Sequence, residues 1–151
     1  MKLSKILTPE CIRVPLVSTE KIEAIKELVD VLNSCGRLAD RDTVLRAVLD
    51  REETRSTGIG FGLAVPHGKS VACTSLMMAL GLPETPIDFN SSDGEPVELI
   101  ALLASPPDKT GPHIQALARI SRLMLLGKFR KEVLAAKSAE EVYAILIKHE
   151  E

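Results

Sequence analysis

The segment VELIALLA (97–104) carries one charge and is otherwise apolar. A strand that reads as a near-continuous hydrophobic run is one covered on both faces. The rest of the chain supplies what covers it. IRVPLV (12–17) alternates and is β-branched, which predicts a strand, with Pro15 marking it as an edge. From Ser18 or Thr19 to Cys35 a helix is expected, with Ile22, Ile25, Val29 and Leu32 on one face, Glu20 in the first turn and Gly36 as its stop. Asp40 caps a second helix reaching about Glu53, with Val44, Ala47 and Val48 facing inward. LMMALGL (76–82) and PIDF (86–89) read as strands, and SPPDKTGP (105–112) as a loop. Residues 112–126 form a helix with Ile114, Leu117, Ala118 and Met124 on its stripe, 128–136 a short helical stretch, and Ser138 to Glu141 a capping box that opens a last helix over 138–148. This order implies one domain over 1–151, a three-layer α/β/α sandwich with a mixed central β-sheet and helices on both faces.

A chain of 151 residues buries enough surface to stand without staples. The net charge of −2, the absence of a basic block and an aromatic content of 3% argue against nucleic-acid binding. Cys11, Cys35 and Cys73 are far apart in sequence and odd in number, with no metal-ligand spacing, and are expected to be idle thiols in a reducing cytoplasm. Nothing suggests a secretory leader, direct membrane insertion or a bound cofactor.

Between the second helix and the strands lies STGIGFGLAVPHGK (56–69). Two nucleotide-binding motifs nearly fit it and both fail. GIGFGL has its third glycine at Gly62 where the dinucleotide pattern needs one at Leu63, and the segment follows a helix instead of a strand. GLAVPHGKS has Leu63 where a phosphate-binding loop begins with glycine, and Pro66 removes an N–H from the nest. What remains is a backbone of unusual freedom (Gly58, Gly60, Gly62) before a Pro66–His67–Gly68 triplet that presents an imidazole on a stiff ledge. Taken alone, His67 reads more readily as an idle turn histidine.

The surroundings decide. DREETRSTGIGFGLAVPHGK (50–69) resembles the phosphorylation-site segment of enzyme IIA domains of the bacterial phosphotransferase system, in the fructose–mannitol branch with its nitrogen-regulatory members. The likeness extends to LSKILTPECI, GRLADRDTVLRAVLDRE, PIDFNSSDGEPVELIALLASPPD and HIQALARISRLM, nearly the whole chain. It implies a phosphoryl carrier with His67 as nucleophile, an HPr-like phosphocarrier protein as donor, and a IIB protein or regulatory target proteins as partners. It also implies an arginine sixteen residues before the histidine and a second histidine forty-six after it, positions held here by Arg51 and His113.

The chemistry suits these types. Histidine, with an ordinary pKa of ~6.5, is partly unprotonated at neutral pH and forms a labile covalent intermediate. The loose transition state of phosphoryl transfer asks mainly for position and positive potential, which an Arg51 fork supplies. His113, after Pro112 at a helix start, is expected to be neutral and to offer an N–H. Thr57 either donates its hydroxyl to the phosphoryl group or caps a turn; Phe61 either docks a partner or packs inward; Arg55 adds positive potential or contacts a partner. His149 reads as idle. The sugar-route carrier and a regulatory module remain as alternatives, and the end of the chain at Glu151 leans to the second. A hydrolase using His67 as base lacks a nucleophile motif or metal set. No pattern fixes the oligomeric state.

Overall fold

In the computed structural model, which describes residues 2–150, a mixed sheet of six strands runs through the centre. Its strands are β1 (Ile12–Leu16), β2 (Gly58–Gly60), β3 (Leu63–Ala64), β4 (His67–Lys69), β5 (Met77–Pro83) and β6 (Leu99–Ser105). Every residue of β6 is buried, as the apolar run required. β6 pairs antiparallel with β5, and β5 pairs parallel with β1, which is an edge strand as Pro15 implied. The other side of β6 receives a broken strand. Leu63 and Ala64 pair parallel with Leu99 and Ile100, Val65 and Pro66 interrupt, and His67 to Lys69 resume opposite Leu103 to Ser105. β2 closes this side by pairing with β3.

The helices are α1 (Lys21–Ser34), α2 (Arg41–Thr54), α3 (Thr110–Leu125), α4 (Gly127–Leu134) and α5 (Ala139–Glu150). Strand alternation fixes the layers. Gly68 faces α2, while His67 and Lys69 on either side of it face α3. A Cβ at Gly68 would sit 3.0 Å from the backbone of Ala47 and Val48. This residue therefore lets α2 lie directly on β4, rather than merely clearing space beside the imidazole.

Local signals set several boundaries. The Asp40 carboxylate accepts from the N–H groups of Asp42 and Thr43, capping α2 as expected. Gly36, at φ +69°, ends α1 in the left-handed conformation. Ser138 Oγ accepts from the N–H of Glu141, but the Glu141 carboxylate reaches the N–H of Lys137, one residue before the expected partner.

Other expectations shift. α1 starts at Lys21 with Glu20 just outside it, and Ile22 is exposed while Ala24 and Leu28 join Ile25, Val29 and Leu32 in the core. Ala47 is only half-buried. PIDF forms a single bridge, Ile87 to Val97, instead of a strand. The stripe of α3 is rotated. Ile114 and Ala118 face solvent, and His113, Ala116, Ile120, Leu123 and Met124 face the sheet. Cys11 and Cys35, distant in sequence, lie with their Sγ atoms 3.5 Å apart as free thiols. Among the described residues no helix is long and apolar enough to cross a membrane.

Candidate functional site

The break at Val65–Pro66 shapes the first part of the site. The Pro66 carbonyl still accepts from the N–H of Leu103, so the strand stays in register with β6. The Val65 carbonyl is left to accept a hydrogen bond of 2.8 Å from His67 Nδ1. With its proton committed there, a neutral His67 ring carries its free lone pair on Nε2. The ring is half-buried on a strand whose outer edge no other strand covers. Burial lowers its pKa below 6.5, helped by the charges of Arg51 and Lys69 and opposed by the Val65 bond and the Glu52 charge. Both the burial and the two cations thus favour the neutral ring over the charged one.

α3 contributes the second histidine. The ring of His113 lies 5.2 Å from that of His67, centroid to centroid, at 68°. Pro112 is the third residue of α3, not the first, so His113 sits at the end of the first turn with its N–H bonded to the Lys109 carbonyl. It is 3% exposed, Nδ1 lies 2.7 Å from Ser105 Oγ, and Nε2 has no partner among the described residues. Burial, followed by the charges of His67 and Lys69, pushes its pKa down to about 4. The neutral state expected from a helix dipole is present, and burial is its main cause.

Arg51 stands one turn beyond the Ala47–Val48 contact of α2 with β4, close enough for its charge to depress the His67 pKa. Its Nη1 donates to the Arg55 carbonyl at 3.0 Å, which anchors the side chain at the helix end. Thus His67 and His113, remote in sequence, stand ring to ring, and the charge of Arg51 reaches His67.

The remaining candidates divide. The Thr57 hydroxyl is buried and donates at 2.5 Å to Glu52, whose other oxygen accepts from the Thr57 N–H and lies 2.9 Å from Lys21 Nζ. Glu52 is thereby held by Lys21 and Thr57 instead of by Arg51, and the Thr57 hydroxyl is already committed. Gly58 is favoured by packing, because a Cβ there would meet Ser91 Oγ and lie 3.0 Å from the Ser91 Cα, which cannot swing aside. Gly60, Phe61 and Gly62 all have positive φ and make the turn from β2 to β3. That turn exposes 52% of Phe61 and sets the Arg130 guanidinium 5.9 Å from its ring. The Leu63 and His67 positions lie four residues apart along β6, roughly 13 Å, and the turn lies beyond Leu63. Phe61 and its glycines therefore lie away from the His67 ring.

Sequence reasoning missed Lys69, Ser105 and Val65. Lys69 Nζ donates to Thr110 Oγ1 at 3.0 Å, joining β4 to α3 beside both histidines. A signal existed for it: on a strand, the residue two after His67 shares its face. Ser105 ends β6 next to His67's strand, which nothing local announced. His149, read as idle, is half-buried, its Nε2 3.2 Å from Glu132 and its ring edge-on to Phe129.

The arrangement places a bare ring nitrogen beside an unpartnered polar atom of a second, neutral ring, with two cations nearby. That suits an electrophile carrying several anionic oxygens.

Comparison with known proteins gives a consistent picture. The family model described as "Phosphoenolpyruvate-dependent sugar phosphotransferase system, EIIA 2" matches residues 5–149. The chain is 35% identical over 150 residues to the fructose-specific EIIABC component of the phosphotransferase system of Bacillus subtilis (strain 168), covering 99% of this chain but only 24%, about a quarter, of that protein. It is 33% identical over 146 residues to the nitrogen regulatory protein of Bradyrhizobium diazoefficiens, covering 97% of this chain and 95% of that one. The crystal structure of nitrogen regulatory protein IIA-Ntr from Neisseria meningitidis superposes with a TM-score of 0.88 at 29% identity, over 95% of this chain and 97% of that one.

Proposed function

We propose that this chain, which belongs to the EIIA 2 family of the phosphoenolpyruvate-dependent sugar phosphotransferase system, acts as one enzyme IIA domain that carries a phosphoryl group on Nε2 of His67. The observation that carries this reading is the Nδ1–H bond of His67 to the Val65 carbonyl, which leaves Nε2 as the free nucleophile beside His113.

The donor is an HPr-like phosphocarrier. The His67 Nε2 lone pair attacks phosphorus as the bond from phosphorus to the donor nitrogen breaks, and the phosphoryl group passes in line between them. Charge spreads over three equatorial oxygens. Arg51 and Lys69 supply positive potential to those oxygens, and His113 supplies a hydrogen bond without a competing charge. Throughout, Nδ1 keeps its proton on Val65. The phosphorylated ring is then cationic, so Nε2 leaves as a neutral imidazole when the next acceptor attacks. Retention of that proton is what makes the bond labile enough for a carrier.

The acceptor is a IIB protein in a sugar route. Likeness to nitrogen regulatory proteins along almost their whole length favours a second use of the same chemistry. There, the phosphoryl group adds about two negative charges to a docking face and changes which target proteins bind.

Incubation with phosphoenolpyruvate, enzyme I and HPr is expected to give acid-labile phosphate on the protein. His67→Ala abolishes it, and Arg51→Ala slows transfer about 100- to 1,000-fold. Labelling of His67→Ala at the normal rate would remove the reading. Loss of label on adding candidate IIB proteins separates transport from regulation.

A further inference from the structure

A neutral His113 has one ring proton to place on two nitrogens. Its Nδ1 is 2.7 Å from Ser105 Oγ, and both residues are buried, Ser105 completely. Two arrangements satisfy that contact. If Nδ1–H donates to Oγ, the serine hydroxyl hydrogen has no other acceptor among the described residues, and Nε2 is left as a buried lone pair without a donor. If the hydroxyl donates to Nδ1, the serine is satisfied, and only an Nε2–H remains without a partner. A buried unmet polar group costs about 1–3 kcal/mol. The first arrangement leaves two such groups and the second leaves one.

We propose that Ser105 is a positioning residue: by donating its hydroxyl to Nδ1, it holds His113 in the Nε2–H tautomer and so fixes a hydrogen-bond donor for the phosphoryl oxygens on His67. The donor role rests on the carrier reading; the tautomer does not. The two rings then have opposite, complementary forms. The Val65 carbonyl accepts a proton and leaves His67 with a bare Nε2, while the Ser105 hydroxyl gives a proton and leaves His113 with a donating Nε2. The unpartnered state of that nitrogen has a purpose here. A donor satisfied only when the phosphoryl group arrives favours the transition state over the resting protein.

The test uses the full chain with 15N-labelled histidine at pH 7. The ring shifts of His113 are expected to show an unprotonated Nδ1 and a protonated Nε2. In Ser105→Ala the two tautomers mix, and transfer from phosphorylated HPr slows about 10- to 100-fold, since a wrongly placed ring proton disables a catalytic histidine. Ser105→Thr, which keeps the hydroxyl, restores both the tautomer and most of the rate. A wild-type spectrum with the proton on Nδ1 overturns the proposal, whether or not any variant folds. So does a folded Ser105→Ala with unchanged tautomer and rate. If wild-type protein takes no label while its His113 carries the proton on Nε2, the carrier reading and the donor role fail, and the tautomer assignment stands.

Discussion

At the scale of single residues, burial governs the two histidines and gives the protein a dependence on acid. The folded pKa of His113 is about 4, and that of His67 is also below its ordinary value. The unfolded chain, with histidine near 6.5, binds these protons first. Stability from a neutral buried imidazole is thus complete above pH 6.5 and is lost as pH falls toward 4, on the order of 3 kcal/mol for His113. Urea unfolding at pH 7 and pH 4.5 measures this loss. His113→Gln, which cannot titrate, should show a distinctly shallower fall; equal falls in the two proteins contradict a buried neutral His113.

At the scale of elements, the seating of α2 on β4 determines where Arg51 and Glu52 stand. Gly68→Ala places a methyl group 3.0 Å from helix backbone, which cannot swing aside as a side chain would. The variant should lose about 1–3 kcal/mol of stability and transfer more slowly as well, because α2 carries Arg51 away with it. Gly111→Ala, with nothing within 4 Å of the added carbon, should lose neither. A Gly68→Ala protein of full stability and rate would mean that the helix has slack. The same element shows what the sequence could and could not reveal. The Asp40 cap is a bond within three residues, so local reading found it. The α3 stripe was misplaced because its first inward residue is a histidine, which no hydrophobic pattern marks. Strands of two or three residues, rich in glycine, give no period to detect, so β3 and β4 emerged only through pairing with β6, and β2 through pairing with β3. Arg51, His67 and His113 were legible from spacing within a family resemblance. Val65 stands two residues before His67 and Ser105 eight before His113, but neither contact follows from a residue pattern: one depends on a carbonyl freed where the strand breaks and the other on how α3 returns over the end of β6.

At the scale of the whole molecule, the two ends of the chain are joined by one buried carboxylate. Glu150 accepts from the N–H of Leu3 at 2.6 Å and of Ser4 at 3.0 Å, and meets Arg119 Nε at 3.0 Å. Tyr143 adds a bond from its hydroxyl to the Ser4 carbonyl. Burial alone raises the Glu150 pKa, but these donors together draw it below 4.5. Its stabilisation is present above that ordinary value and is lost as pH falls further, below most of the histidine window. Glu150→Gln should cost about 1–3 kcal/mol near neutrality, with the difference from wild type shrinking below pH 4; curves that stay parallel to pH 3 would refute the clasp. Because Leu3 and Glu150 share a hydrogen bond, the polypeptide is nearly a closed ring. A second domain tethered to either end would depart from the same corner of the molecule, so its reach to His67 would depend on tether length and hardly at all on gene order.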